Sequence, residues 1–242
     1  MAWPHQTIES CLDTVEKCIE LRPDRLAVFG YAHVPTFNHQ RRITENTPPD
    51  SLERQSQSEA ISDALQCAGY IRIGLDHFAL PSDRLAIAQR EGRLHRNFQG
   101  YTDHHENVLI GLGASAIGRL PQEFVQNTLA TRDYLQCVAT GQFATAKGYA
   151  FSADDRFRAE IVERIMRDLA VDLSRVSHVR GRTLEEIIID HDRFERLRAD
   201  GVITVEANGL RVAKGSRFLV RSVASTFDAH LAKRVGIYSR AA

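Results

Sequence analysis

Apolar positions in the first part of the chain follow two different periods. After Thr7, apolar residues recur every three or four positions, which predicts an amphipathic helix over 7–21 with Thr7 as its N-cap. The short apolar run at 25–31 predicts a buried strand. A second helix is expected over 52–68, where Gly69 is placed to end it.

The same alternation continues towards the middle of the chain. Apolar and other residues alternate over 71–78, which predicts a second strand, and a short helix is expected over 83–92. The run at 108–113 predicts a third strand, and the pattern over 121–140 is helical. Helices that alternate with apolar strands are typical of an α/β fold with a parallel sheet.

Beyond residue 150 the pattern changes. A helix capped by Ser152 is expected, followed by a second helix and by two short apolar runs around Asn208-Gly209, a dipeptide that favours a tight hairpin. Helices followed by a hairpin indicate a small winged-helix-like domain. The sequence therefore predicts two domains, 1–150 and 151–242, with the α/β part first.

Composition narrows the classes of function. The chain has 31 basic and 31 acidic residues, which gives no general attraction to nucleic acid or to an anionic membrane. Its least interrupted apolar stretch, 108–118, is well short of the roughly 20 residues of a spanning helix. The first ten residues lack the pattern of a signal peptide. We expect a cytoplasmic protein with no membrane or nucleic-acid partner.

Three histidines, His95, His104 and His105, lie close to acidic residues and raise the hypothesis of a metal site. Adjacent side chains point in different directions, whereas a zinc motif places two histidines on one helix face. We therefore interpret them as histidines of an exposed polar loop. The four cysteines form no Cys-x-x-Cys pair and are expected to be buried thiols.

Two further hypotheses concern phosphate-bearing ligands. Gly111-x-Gly113-x-x-Ala116 matches a dinucleotide fingerprint after a predicted strand, but the helical pattern at 121–140 replaces the second strand that such a site needs. The segment 193–240 carries ten basic and four acidic residues, so a basic wing could contact DNA. Winged helices also serve as packing modules, and the alternative stays open.

Several longer motifs are more specific than these patterns. In order, they are FGYAHVP at 29–35, QRRI at 40–43, LDHFALP at 75–81, LAIAQREGRLHRNFQGYT at 85–102, GLGASAIG at 111–118 and DGVITVEANGLRVAKGSRFLVRSV at 200–223. Together they closely resemble the oxygen-independent coproporphyrinogen III oxidases, the radical S-adenosylmethionine (SAM) enzymes of haem biosynthesis. The resemblance covers essentially the whole chain and implies the C-terminal part of a partial radical-SAM (β/α) barrel.

The resemblance also implies site residues. Ala32 and Ile117 correspond to residues that contact SAM in the family. Arg93, Arg96 and Gln99 could meet the propionates of the substrate, since guanidinium groups pair well with carboxylates. An ion-pair network without a ligand is an equal alternative for these three residues.

The implied reaction is the oxidative decarboxylation of coproporphyrinogen III to protoporphyrinogen IX. SAM and a [4Fe–4S] cluster would supply a radical that takes a hydrogen from a propionate, which then loses carbon dioxide. The chain contains no Cys-x-x-x-Cys-x-x-Cys motif for the cluster. We therefore expect the C-terminal half of such an enzyme, with doubtful activity alone and an uncovered strand edge at 25–31 that makes it marginally stable. A non-catalytic porphyrin- or haem-binding protein, or a gene remnant, is the alternative, and a DNA-binding protein ranks third.

Overall fold

The computed structural model describes residues 5–31, 49–97, 100–176 and 181–231. The chain divides into two compact units. The first, called here the discontinuous unit, combines Met1–Asp103 with Glu160–Ala242, and the second, the central unit, is His104–Ala159. The predicted domains, 1–150 and 151–242, stay a prediction beside this division.

Eight α-helices and eleven short strands lie within the described residues. The helices are α1 Ile8–Leu21, α2 Ser51–Cys67, α3 Arg84–Arg90, α4 Thr131–Ala139, α5 Ala153–Asp168, α6 Leu184–Ile187, α7 His191–Ala199 and α8 Val220–Ser225. The strands are β1 Arg25–Ala27, β2 Ile71–Ile73, β3 His77–Ala79, β4 His95–Asn97, β5 Gly100–Thr102, β6 Ile117–Arg119, β7 Glu123–Asn127, β8 Thr145–Ala150, β9 Ala170–Asp172, β10 Ile203–Glu206 and β11 Gly209–Val212.

Local capping chemistry explains why the predicted helices form where they do. Thr7 Oγ1 accepts a hydrogen bond from the Ser10 amide at 3.2 Å, and Ser10 Oγ accepts one from the Thr7 amide at 3.0 Å. This capping box satisfies two otherwise unpaired backbone donors. The predictions of α1, α2, α3 and α5 are confirmed.

The segment predicted as one strand over 71–78 is a hairpin. β2 and β3 pair antiparallel, and Gly74, with a φ of 53°, allows the chain to reverse between them. β3 also pairs antiparallel with β1. The expectation of a parallel sheet is wrong for the described strands, because every pairing among them is antiparallel. Strands joined by so short a turn have no room for the crossover that parallel pairing needs.

Two apolar clusters form the core of the first part of the discontinuous unit. One packs α1 and α2 against β3 through residues such as Leu65 and Phe78. The other packs α3 against β2 and β5, and it includes Ile73, Leu85 and Tyr101. Buried side chains of the hairpin 71–79, such as Ile73 and Phe78, therefore anchor it in these two clusters.

The C-terminal part of the discontinuous unit has the predicted winged-helix-like elements. β10 and β11 form the expected hairpin around Ala207 and Asn208, and β9, which was not predicted, adds a third strand on the far side of β11. A 3₁₀ helix, Lys214–Leu219, leads directly into α8.

The central unit differs most from the predicted pattern. β6, β7 and β8 form an antiparallel sheet, so the predicted helix over 121–140 is instead strand β7 followed by α4. The predicted strand over 108–113 is wrong, since that segment makes only an isolated bridge between Leu109 and Arg119. In the described parts of the chain, no helix is both long and apolar enough to cross a membrane.

Candidate functional site

The histidines of the metal hypothesis occupy different environments. His95 is half-buried on β4, where its Nδ1 lies 3.3 Å from Glu163 Oε1, so its assignment to an exposed loop is wrong. His104 and His105 follow β5 on the exposed surface of the central unit. Over the described ranges, the side chains of His, Cys, Asp and Glu form no group of three that could hold a metal ion.

The glycine-rich loop of the dinucleotide hypothesis has a structural role. A Cβ at Gly111 would lie 2.8 Å from the backbone of Ile117, and one at Gly118 would lie 2.9 Å from Leu109 O. The two glycines therefore let these segments approach closely. Asn127 Nδ2 donates to the carbonyls of Gly111 and Gly113 at 3.1 and 3.0 Å. Because strand β6 follows the loop, the helix N-terminus of a dinucleotide site is not formed here.

The family-implied residues are only partly described. Ala32 and Gln99 lie outside the described residues. Ile117 is half-buried at the start of β6 in the central unit. Arg93 is exposed and paired with Glu91, and Arg96 lies on β4 with its guanidinium 5.8 Å from the ring centre of Tyr101. The structure thus places Arg96, but not Arg93, against a buried neighbour.

A more concentrated arrangement lies at the turn between β2 and β3. Arg72 donates twice to Leu75 O, at 2.9 Å from Nη2 and 3.3 Å from Nε. Arg217 Nη1 donates to Gly74 O at 2.8 Å. We name Arg72, Arg96, Arg217 and Arg221 the arginine cluster. Three of them reach the backbone or side chains of one three-residue turn from separate elements.

Asp76 and Tyr101 complete this site. Asp76 Oδ1 lies 2.8 Å from His77 Nδ1, and its Oδ2 lies 3.4 Å from Arg221 Nη2. Tyr101 Oη accepts a hydrogen bond from the Leu75 amide at 2.8 Å and donates one to Met166 O at 3.1 Å. The tyrosine therefore ties the turn to α5.

Gly74 is the residue that allows Tyr101 to occupy this position. A Cβ on Gly74 would lie 2.0 Å from Cζ of Tyr101 and 2.1 Å from its hydroxyl oxygen. Both groups cannot occupy that space. The turn and the tyrosine are therefore mutually dependent.

The electrostatics of the site favour an anion. Burial, and then the nearby charge of Arg217, lower the pKa of Arg72 to about 10. Burial also lowers the pKa of Arg217. Burial alone would raise the pKa of Asp76, but the hydrogen bond and charge of His77, with Arg221 and Arg96, bring it below its usual value. The site thus carries more positive than negative charge in a partly buried place.

Sequence reasoning missed most of this arrangement. It selected Arg96 but neither Arg72, Arg217 nor Arg221. The available signal was the basic surplus over 193–240, which was interpreted as a possible DNA-binding wing. Several arginines of that segment are instead paired with acidic neighbours, as Arg198 is with Glu195 and Arg211 with Glu206.

The cysteines do not fit an iron–sulfur cluster. The three thiolates of a Cys-x-x-x-Cys-x-x-Cys motif must converge on one point to hold the cluster. Cys11 is buried, and burial raises its pKa, which disfavours the thiolate that binds metal. Cys67, the last residue of α2, is exposed, so the expectation of a buried thiol is wrong there.

Comparison with known proteins identifies relatives of the chain. No family model matches the chain. A protein of Bradyrhizobium diazoefficiens is 50% identical over 239 residues, which are 98% of this chain and 53% of that protein. One of Cereibacter sphaeroides is 40% identical over 232 residues, which are 93% of this chain and 50% of that protein. Both are named oxygen-independent coproporphyrinogen III oxidase.

A solved structure agrees with these relatives. Coproporphyrinogen III oxidase from Escherichia coli, described as a radical SAM enzyme, matches with a TM-score of 0.84 and 35% identity, over 95% of this chain and 53% of that one. This chain is a partial homologue of the oxygen-independent coproporphyrinogen III oxidases. The resemblance inferred from its motifs and the α/β class are thereby confirmed. The chain spans about half the length of the curated oxidases it matches.

Proposed function

We propose that this chain provides part of the binding surface for coproporphyrinogen III and SAM in an oxygen-independent coproporphyrinogen III oxidase of haem biosynthesis. The observation that supports the proposal is 50% identity to such an oxidase across 98% of the chain. A cytoplasmic location, and partners that include neither nucleic acid nor a membrane, belong to the same proposal. The balance of 31 basic and 31 acidic residues supports the part of the proposal that concerns nucleic acid and the membrane.

The proposal assigns roles to five residues. Ala32 and Ile117 contact SAM, and Arg93, Arg96 and Gln99 meet the propionates of the substrate. The role of Arg96 has the strongest physical support, because its guanidinium lies against the ring of the buried Tyr101 and, among the described residues, does not take part in an exposed ion pair. Arg93 has the weakest, because Glu91 already engages it.

Of the two cofactors that the family implies, the residues of this chain could contact SAM but do not fit the [4Fe–4S] cluster. A bound [4Fe–4S] cluster and SAM supply the radical chemistry in this class of enzyme. The four cysteines of this chain lack the Cys-x-x-x-Cys-x-x-Cys spacing, and burial disfavours the thiolate of Cys11, which supports a cluster held elsewhere. The residues of this chain therefore bind and orient the substrate, and the cluster ligands must come from another polypeptide segment.

A reconstitution experiment tests the proposal. The chain is combined under anaerobic conditions with the segment of the Bradyrhizobium oxidase that it does not cover, after the iron–sulfur cluster of that segment has been assembled. We expect SAM-dependent release of carbon dioxide from coproporphyrinogen III by the mixture and by neither part alone. The control replaces this chain with the corresponding segment of the Bradyrhizobium oxidase.

Porphyrin binding, measured in parallel, distinguishes part of an oxidase from a non-catalytic porphyrin-binding protein. Coproporphyrin III, the air-stable aromatic form of the substrate, is titrated into the chain and followed by its absorbance. Porphyrin binding together with an inactive mixture, where the control mixture is active, would favour the non-catalytic porphyrin-binding protein. The absence of both porphyrin binding and activity would refute the proposed function.

A further inference from the structure

We propose that the arginine cluster is a binding site for carboxylate groups, and that Arg217 and Arg221 engage the propionates of the tetrapyrrole together with Arg72 and Arg96. This inference rests on the proposed function for the identity of the ligand, although not for its chemistry. It adds two residues from the 3₁₀ helix and α8 to the substrate-binding set. Both residues lie within the family-like motif at 200–223.

Three members of the arginine cluster converge on one turn. Arg72 and Arg217 donate to consecutive carbonyls, those of Leu75 and Gly74, and Arg221 reaches the side chain of the next residue, Asp76. Guanidinium groups repel one another, so a shared location costs stability unless negative charge compensates it. Such arrangements are typical of places where an anionic ligand binds.

Positive charge exceeds negative charge in the arginine cluster. Among the described residues, Asp76 is the only carboxylate that forms an ion pair with a member of the cluster. Glu59 acts on Arg72 only through its more distant charge, and Glu163 bonds to the backbone amide of Arg96 and to His95. Four guanidinium groups therefore face one directly paired carboxylate.

The turn that the cluster contacts is held in place, and some guanidinium N–H groups remain available to a ligand. A guanidinium has five N–H donors, and within the described residues Arg217 uses one, towards Gly74 O. Arg221 has about half of its side-chain surface exposed, 48% against 18% for Asp76. Gly74 and Tyr101 hold the turn, so the guanidinium groups bound to it are positioned before a ligand arrives.

The geometry favours carboxylate over nucleic acid. A nucleic-acid surface needs a row of free cations along an extended face. In the preceding part of the chain, Arg193, Arg198 and Arg211 are instead paired with Asp190, Glu195 and Glu206. The compact cluster, with forked donors converging on one turn, matches a planar carboxylate.

The test measures carboxylate binding by the full chain and by charge variants. Citrate serves as a small polycarboxylate, detected by the rise in the unfolding temperature, and coproporphyrin III serves as the tetrapyrrole. Arg217→Gln removes the charge but keeps a donor for Gly74 O, and Arg217→Lys keeps the charge without the fork. Arg198→Gln, which alters an exposed, paired arginine outside the cluster, is the matched control.

We expect Arg217→Gln and Arg221→Gln each to weaken citrate and coproporphyrin III binding about tenfold, since hydrogen bonds to charged groups contribute at least that much. Arg217→Lys should retain part of the affinity, and Arg198→Gln should bind like the unaltered chain. Circular dichroism must show that each variant is folded. An unchanged citrate response in folded Arg217→Gln would overturn the inference, as would the absence of any response in the unaltered chain.

The two ligands keep this inference separate from the proposed function. If citrate binds through Arg217 while coproporphyrin III does not bind at all, the proposed function is refuted. The carboxylate site is then supported, but its ligand is a different carboxylate. If coproporphyrin III binds equally to the unaltered chain and to Arg217→Gln and Arg221→Gln, the proposed function stands and the cluster is not its site.

Discussion

Replacement of Gly74 by alanine tests whether the turn and Tyr101 depend on each other. The new methyl group would lie 2.0 Å from the ring of Tyr101, and the φ of 53° is one that alanine adopts at a cost. Gly69→Ala is the matched control. Gly69 also has a positive φ, of 91°, but a Cβ there would have no neighbour within 4 Å.

The expected cost can be worked out from these contacts. The left-handed backbone costs about 1 kcal/mol in either variant. In Gly74→Ala, Tyr101 must also leave its place, which forfeits two hydrogen bonds of about 1 kcal/mol each, to Leu75 and Met166. Displacing the buried ring adds about 1 kcal/mol or more of packing loss. We expect Gly74→Ala to lower the free energy of unfolding by about 4 kcal/mol and Gly69→Ala by about 1 kcal/mol.

Urea unfolding at neutral pH, followed by circular dichroism, measures both free energies under the same conditions. Because the chain has two compact units, a second probe of tyrosine environment in the near ultraviolet should be recorded to test for a single transition. Equal losses in the two variants would refute the claim that the ring of Tyr101 excludes a side chain at Gly74. A large loss in Gly69→Ala alone would do so as well.

Three further predictions concern pH, backbone strain and the core. The pKa of Asp76 is lowered in the folded state, so its carboxylate stabilises the fold above the usual carboxyl pKa of about 4 and loses this effect as the pH falls below that value. Urea unfolding at several pH values should therefore show that the stability difference between the unaltered chain and Asp76→Asn shrinks as the pH is lowered through that range. Ser115 has a φ of 63°, so Ser115→Gly should raise the free energy of unfolding by about 0.5 kcal/mol, and a loss would count against backbone strain there. Leu65 is fully buried, so Leu65→Ala should lower the free energy of unfolding by about 3 kcal/mol. Leu21 is 83% exposed, so Leu21→Ala should lower it by less than about 0.5 kcal/mol. Equal effects of the two changes would contradict the packing described for α2.

Local signals predicted local structure well. The cap at Thr7 and the helical spacing after it located α1 to within a residue, because the chemistry of a helix start lies within a few positions. The turn at 74–76 was hidden, because apolar residues continue on both sides of Gly74 and resemble one longer strand. Only the antiparallel pairing of β2 with β3 reveals the reversal.

The candidate site was less predictable for a different reason. Arg96 was selected as a possible propionate ligand within its motif. Arg217 and Arg221 also lie in a family-like motif, at 200–223, but the role of that segment depends on where it packs. Their contacts with Gly74 and Asp76 span 143 and 145 positions of the sequence. No periodicity or spacing rule reports on contacts over that distance. Charge surplus alone was compatible with DNA, with packing and with an anionic ligand.

That separation in sequence also sets the order in which the cluster can assemble during folding. The hairpin 71–79 closes a turn of three residues, and hairpins of this kind form within microseconds. The docking of Arg217 on Gly74 closes a loop that contains the whole central unit, at a far larger entropic cost. The arginine cluster therefore becomes complete only when the last elements have docked. In a refolding experiment, the capacity to bind carboxylate should appear after most of the secondary structure, so ligand binding would report the end of folding in this chain.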